Sequence, residues 1–350
     1  MSAAKISIII PVYNCEKNIG RTLQAALTAA NVYRGRDADR YVEIIAVDDG
    51  STDNTQAEIT RFPTVKYYSQ SNAGPASARN LGAREARGDI LFFTDADCLP
   101  HSDWLEVMMP HFQKPNVAVI AGSYGIANPQ NRLSRCIHAE IIFRHMILMP
   151  EFPSYFGSFN FAIYKEVFQK AGGFNPVYRN ASGEDNDLSY KISSRGYKIY
   201  FAKDGLVDHY HPEVLKDYLA QQYRHGYWRV QMYCDHPKMA KGDGYTFWKD
   251  SVEVGLVLLF YLSFIVVFLG FFTVGAWILA FSVCGLLAVN IYFGTRMMAA
   301  RLPPADRLPV GGGDWRDGFY FSDVMVLRAF SRTNGFLAGT EIFLRKKPGQ

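Results

Sequence analysis

Ile90-Leu91-Phe92-Phe93-Thr94-Asp95-Ala96-Asp97 is a short apolar run that stops on two carboxylates. Such a run is too brief for a core helix and reads as a buried strand, with Asp95 and Asp97 projecting from its end. A carboxylate pair beside a core is unfavourable by several kcal/mol unless something cationic holds it there. A hard divalent cation, Mg2+ or Mn2+, is the natural partner for such oxygens. Working outward, Ile6–Pro11, Val42–Val47 and Val65–Tyr68 read as further strands. Cys15–Ala30, with Ile19, Leu23, Ala26 and Leu27 at helical spacing, and Pro75–Arg87 read as helices between them. Ser51-Thr52-Asp53 supplies a cap after the second strand. This alternation predicts an α/β fold with a mostly parallel sheet flanked by helices. Ligands of such sheets bind at the carboxyl ends of the strands, where Tyr13, Asp48, Asp49, Asp95 and Asp97 all fall. No G-x-G-x-x-G follows the first strand, which argues against a dinucleotide-binding domain.

A second acidic segment follows about ninety residues later, in Ser182-Gly183-Glu184-Asp185-Asn186-Asp187-Leu188. It stands just before a helix, Asp187–Arg195, closed by Gly196. A carboxylate there could take a proton, with N-capping by Ser182 as the structural alternative. A cation site that binds a diphosphate, followed by a base, suits sugar transfer from a nucleotide-sugar. Between the two segments Trp104–Phe112 reads as helix, Val117–Gly122 as strand and Leu133–Met149 as a long helix on the acceptor side. Gly157-Ser158-Phe159-Asn160 leads to a helix ending at Gly172, and Lys198–Ala202 is the last strand.

Five motifs occur in order: Ser7-Ile8-Ile9-Ile10-Pro11-Val12-Tyr13-Asn14, Val47-Asp48-Asp49-Gly50-Ser51-Thr52-Asp53, Asn72-Ala73-Gly74, Ala78-Arg79-Asn80 and Asp95-Ala96-Asp97. Together they resemble the family-2 glycosyltransferases of GT-A fold, over roughly residues 5–230. The resemblance implies an inverting, metal-dependent enzyme that uses Mn2+ or Mg2+. Asp97 becomes the direct metal ligand, with Asp95 in a ribose or indirect metal contact. Pro11, Tyr13 and one of Asp48 and Asp49, Asp48 favoured, would face the base of a UDP- or GDP-sugar. Asn72, Gly74, Arg79 and Asn80 match the nucleotide-side loop, Arg79 meeting either phosphate or a local carboxylate. Asp185 takes the general-base role beside Glu184, and His209 or His211 completes the metal shell. Gly157, Ser158, Asn160, Gln221 and Arg224 are assigned to the acceptor side. Gln221-x-x-Arg224 partly matches the QxxRW motif of processive synthases, but His225 replaces the tryptophan, which weakens a polymerising role.

The 350 residues accommodate this domain (1–230) plus an appendage. Val254–Phe293 contains no Asp, Glu, Lys, Arg or His. About forty such residues suit two membrane spans of roughly 18, each about 27 Å long as helix, with the turn at Gly270–Gly275. The expected organisation is therefore an interfacial helix and linker over 212–250, two spans over 252–294 and a cytoplasmic segment over 295–350. The interfacial stripe is Leu215, Leu219, Tyr223, Tyr227 and Val230. Lys238, Lys241 and Lys249 before the pair, and Arg296, Arg301, Arg307 and Arg316 after it, place both flanks in the cytoplasm of an inner membrane. Met1–Lys5 runs straight into a strand without a leader pattern. Leu302-Pro303-Pro304 to Gly311-Gly312-Gly313 reads as a flexible break, and 315–346 shows no clean helical stripe. Five cysteines without paired spacing fit a reducing compartment. A net charge of +4 gives no sign of a nucleic-acid partner. The expected partners are a nucleotide-sugar, a lipid-linked or glycan acceptor and the membrane. Transfer to a polyprenyl phosphate is the alternative enzyme, and a silent nucleotide-sugar-binding subunit the non-enzymatic one.

Overall fold

The computed structural model describes residues 4–179, 182–238, 248–299 and 315–345. Lys241 and the break over 302–313 lie outside them. The chain divides into two compact units. The first comprises the chain up to Asn128 together with Arg144–His211, and holds a single sheet. Its strands are β1 (Ile6–Val12), β2 (Val42–Asp48), β3 (Lys66–Ser69), β4 (Ile90–Thr94), β5 (Cys98–Pro100), β6 (Val117–Ile126), β7 (Asn160–Tyr164) and β8 (Lys198–His209). They are ordered β3-β2-β1-β4-β7-β6-β8-β5. β3, β2, β1 and β4 run parallel, as do β6 and β8, while β7 is antiparallel to both neighbours and β5 is antiparallel to β8.

β1, β2 and β4 are buried along their whole length, because alternate side chains enter two separate cores. Ile8, Ile10, Ile44, Phe92 and Trp104 pack on one face of the sheet, and Ile9, Ile45, Val47, Phe93 and Phe161 on the other. The flanking helices are α1 (Ile19–Gly35), α2 (Thr55–Thr60), α3 (Pro75–Glu85), α4 (Trp104–Met108), α6 (Lys165–Lys170) and α7 (Glu184–Ser193), while α5 (Arg132–Phe143) belongs to the second unit. α1 starts four residues later than the periodicity predicts. Asn14 is left-handed (φ 49°), and its side chain accepts from Thr52 N–H at 2.8 Å, so Tyr13–Asn18 is tied to the turn after β2. β8 continues to His209, past the expected end at Ala202. The predicted helix 133–149 changes at Arg144 to a single π-helical turn, Arg144–Leu148.

The second unit contains α5, α8 (Leu215–Asp235), α9 (Trp248–Phe268), α10 (Phe272–Ala299) and α11 (Trp315–Arg345). α9 and α10 form a hairpin that turns at Gly270 (φ 90°), and both are long and apolar enough to cross a membrane. Phe264, Ile265, Phe268, Trp277 and Phe281 on them are exposed. The stretch without a clean stripe is one continuous helix, α11. It lies along the face of α8 that was expected to meet a membrane interface. A methyl added to Gly335 would sit 2.0 Å from Tyr223 O, and one on Gly226 2.0 Å from Arg332 O. Ser331 Oγ donates to Leu219 O at 2.6 Å across the same contact. Arg328, fully buried on α11, pairs with Glu140 of α5 and with Asp250 and Glu253 of α9. Lys249, expected as a basic membrane flank, is instead buried against Glu253.

Candidate active site

The site is built from the strand ends inward. Asp49, immediately after β2, is buried and accepts from Gln70 Nε2 (2.6 Å), Ala73 N–H (2.9 Å) and Gly74 N–H (2.8 Å). Its carboxylate thereby fixes the Asn72-Ala73-Gly74 loop. Gly74 is obligatory there: its φ is 91°, and a Cβ would lie 2.3 Å from Arg179 O. Asp48 accepts from Ser51 N–H (2.8 Å) and from the Tyr67 hydroxyl (3.0 Å). Pro11 is buried, whereas Tyr13 and Asn72 are exposed beside this loop's strand ends.

The loop launches α3, and α3 carries Arg79 into the interior. Arg79 is 1% exposed, and its guanidinium donates from Nη2 to Asp95 Oδ1 (2.6 Å) and from Nη1 to Glu184 Oε1 (3.0 Å). Both nitrogens meet carboxylates, one from each acidic segment. Asn80 holds both polar groups of the Phe174 backbone, accepting from N–H at 3.0 Å and donating to O at 2.8 Å.

Glu184 and Asp185 open α7 after Gly183, whose φ of 104° lets the chain enter the helix sharply. Burial, reinforced by adjacent Asp185 and opposed by Arg79, pushes the Glu184 carboxyl up to about 7. Asp185 is also raised, first by burial, with the Asn186 N–H pulling the other way. Its Oδ1 accepts from Asn186 N–H at 2.8 Å, and its Oδ2 lies 3.4 Å from the Tyr155 hydroxyl. The Ser158 backbone N–H also donates to this carboxylate. Gly157 and Ser158 thus sit at Asp185. Asn160 does not join them: its amide is enclosed, donating to Ser123 O and Gly205 O and accepting from Trp104 Nε1. Both hydrogens of its amide nitrogen are used within the fold. Gln221 and Arg224 lie on α8 in the second unit.

Asp97 faces the end of β8. Its Oδ2 is 3.5 Å from His209 Nε2, and donor atoms of Asp97, Cys98 and His209 all lie within 4.8 Å of one another. That donor set fits a divalent cation. Burial raises the Asp97 carboxyl, His209 lowers it and Asp95 raises it again. His209 Nδ1 lies 3.1 Å from Nδ1 of buried His211, so His209 is the one turned toward Asp97. Tyr67, Gln70, Tyr155 and Cys98 were not among the residues expected from sequence. Cys98 alone carried a signal, its position directly after the Asp95–Asp97 pair.

Residues 7–176 match the profile described as "Glycosyl transferase family 2". This segment belongs to glycosyltransferase family 2. The chain is 26% identical over 248 residues to the "Pre-mycofactocin glycosyltransferase" of Mycobacterium tuberculosis, covering 66% of this chain and 48% of that protein. It is 27% identical over 234 residues to "Glycosyltransferase AglE" of Haloferax volcanii, covering 65% and 74%. Against the first of these the chain spans about half the relative's length. Among solved structures, a mannosyltransferase of Pyrobaculum calidifontis in complex with GDP-Man and Mn2+ superposes with a TM-score of 0.56 at 20% identity, over 95% of this chain and 87% of that one. The first unit thus has the GT-A sheet and its flanking helices, with the family-2 match over residues 7–176, and the pair of long apolar helices follows in the sequence.

Proposed function

We propose that this chain transfers a sugar, with inversion, from a UDP- or GDP-sugar to a hydroxyl of a lipid-linked glycan or polysaccharide intermediate. The observation that carries the reading is Arg79, whose single guanidinium draws Asp95 and Glu184 together at the carboxyl end of β4. The residues assigned to the donor and the residue assigned as base therefore share one site. Asp48 and Asp49 shape the base end of the donor pocket, with Pro11 and Tyr13 beside them. Asp185, with Oδ1 held by Asn186 N–H and Oδ2 beside the Tyr155 hydroxyl, accepts the proton of the attacking hydroxyl. Glu184, tied to Arg79, orients the start of α7 and does not receive that proton. Asp97 and His209, with Asp95 alongside, would hold Mn2+ or Mg2+, which supplies charge neutralisation to a departing diphosphate. A single displacement needs no protein nucleophile.

Two further features support a membrane setting. α9 and α10 are long, apolar and outwardly hydrophobic. We read them as two spans, with both ends of the pair and the active site in the cytoplasm. Anchoring confines the enzyme to the plane of its lipid acceptor and raises their effective concentration. The test is a thermal-shift and calorimetric series with UDP, GDP, dTDP and their sugars, with and without Mn2+. Stabilisation by one nucleotide class that requires Mn2+ and is lost in Asp97→Asn is the expected outcome. Equal stabilisation of Asp97→Asn would remove Asp97 from the metal site, and no nucleotide-dependent shift at all would sink the transferase reading.

A further inference from the structure

β5 and β8 pair antiparallel in a register that sets Cys98 opposite His209. Directly opposed residues of an antiparallel pair project from the same face, with Cβ atoms about 5 Å apart. The backbone, not a rotamer choice, therefore brings the thiol alongside the imidazole. Asp97 precedes Cys98, and its backbone carbonyl accepts from Tyr210 N–H at 3.0 Å, extending the same ladder by one step. Its carboxylate then turns to both neighbours: Oδ1 lies 3.8 Å from Cys98 Sγ and Oδ2 3.5 Å from His209 Nε2. Contact of His209 Nδ1 with His211 leaves Nε2 on the side of Asp97. One oxygen, one sulfur and one nitrogen converge, and Cys98 itself is fully enclosed.

We propose that Cys98 is a third protein ligand of this pocket, which makes it a site for a thiophilic divalent cation, zinc above all. The inference rests on the reading of Asp97 and His209 as the metal-binding pair. Mn2+ and Mg2+ favour oxygen and leave a buried thiol aside, so they are held by the carboxylate and imidazole. Zn2+ and Cd2+ accept thiolate, imidazole and carboxylate together. Three protein ligands with one open position form an ordinary arrangement for zinc, with metal–sulfur bonds near 2.3 Å and metal–nitrogen bonds near 2.0 Å. On binding, the Cys98 S–H bond breaks, its proton passes to buffer, and a sulfur–metal bond forms with no change of oxidation state. Zinc then occupies the position that Mn2+ holds with one ligand fewer, and displaces it.

Cadmium makes the test spectroscopic. The full chain in detergent is loaded with Mn2+, followed by the electron-spin resonance of free Mn2+, and titrated with Cd2+ while ultraviolet thiolate-to-cadmium charge transfer is recorded. The expected result is release of Mn2+ in step with growth of the thiolate band, in the unaltered protein. Cys98→Ser should bind Mn2+ within about threefold of the unaltered chain and lose more than about tenfold in Cd2+ affinity at this site. Asp97→Asn should weaken both ions. Displacement of Mn2+ without a thiolate band, or an unchanged band in Cys98→Ser that retains Mn2+, would overturn the proposal and leave the metal pair intact. Failure of the unaltered protein to bind either ion would instead remove the reading of Asp97 and His209, and the proposal with it. Should Cys98→Ser bind no Mn2+, the coupled release and band in the unaltered protein still decides.

Discussion

The two units treat buried charge in opposite ways. In the helical unit, three carboxylates (Glu140, Asp250 and Glu253) meet three cations (Lys249, Arg328 and Arg332), and the cluster closes on itself. In the sheet unit, Asp95 and Glu184 pair with Arg79, the one Arg or Lys ion-paired with any of Asp95, Asp97, Glu184 and Asp185 among the described residues. A balanced cluster needs no visitor and holds helices in place. A cluster short of positive charge carries raised carboxyl groups and gains by accepting a cation. Buried charge therefore marks a ligand site only where its local sum is left open.

The largest effect should come from unbalancing the closed cluster. Arg328→Met strands Glu140 in the interior while Glu253 keeps Lys249, and removing one partner of a buried network destabilises by about 3–5 kcal/mol. Denaturant unfolding of the purified chain, followed through the tryptophans, should show this, and Arg328→Met/Glu140→Leu, which leaves the Lys249–Glu253 and Arg332–Asp250 pairs, should recover most of it. Failure of the double variant to recover would mean that the charges do more than pack helices.

In the open cluster the expected loss is of rate. Asp185→Asn should lower sugar transfer by about 10²-fold or more while donor affinity stays within a few fold, the usual contribution of a positioned base. Paired calorimetry and transfer to extracted membrane lipids separate the outcomes. Undiminished transfer would favour an acceptor already ionised, such as a polyprenyl phosphate.

A smaller effect tests the link between the motifs. Lysine cannot fork to two carboxylates as a guanidinium does. Arg79→Lys should thus reduce transfer by about tenfold, through loss of one of the bonds to Asp95 and Glu184. A variant with full activity would show that the two acidic segments do not need a shared cation.

The parallel strands were legible because they are buried on both faces and end in carboxylates, a pattern that needs no partner to be recognised. The same logic located both acidic segments. Arg79 was harder: a lone arginine on a predicted helix says nothing of which acids it will meet, one of them 105 residues away. β5 is three residues long and shows no alternation of its own, so Cys98 was not paired with His209. α11 lacks a clean stripe for a physical reason. It presents glycines to α8 and the buried Arg328 to α5 and α9, so its inward face is neither uniformly apolar nor on one side. Nothing in the sequence around Asn160, assigned to the acceptor side, signals its neighbours Ser123, Gly205 and Trp104, which are distant along the chain.

The smallest effect is a slope against pH, and it probes the open cluster directly. Glu184, pushed up to about 7 from an ordinary 4.5 chiefly by burial, binds its proton more tightly folded than unfolded. Between those values the native state holds more protons, so stability falls as pH rises, by at most about 1.4 kcal/mol per pH unit for one group. Asp185 is shifted the same way and shares the titration, so the slope belongs to the pair. Hydrogen exchange of the α7 amides, corrected for intrinsic rates, should show their opening free energy declining from about pH 4.5 to about pH 7. Glu184→Gln removes one titrating group while its amide oxygen can still accept from Arg79, and the decline should be shallower. A cation in the pocket opposes the charge that ionisation adds, so Mn2+ should flatten the slope in the unaltered chain as well. Equal slopes in all three samples would mean that the excess negative charge is not felt at α7, and the contrast between the two units would lose its physical basis.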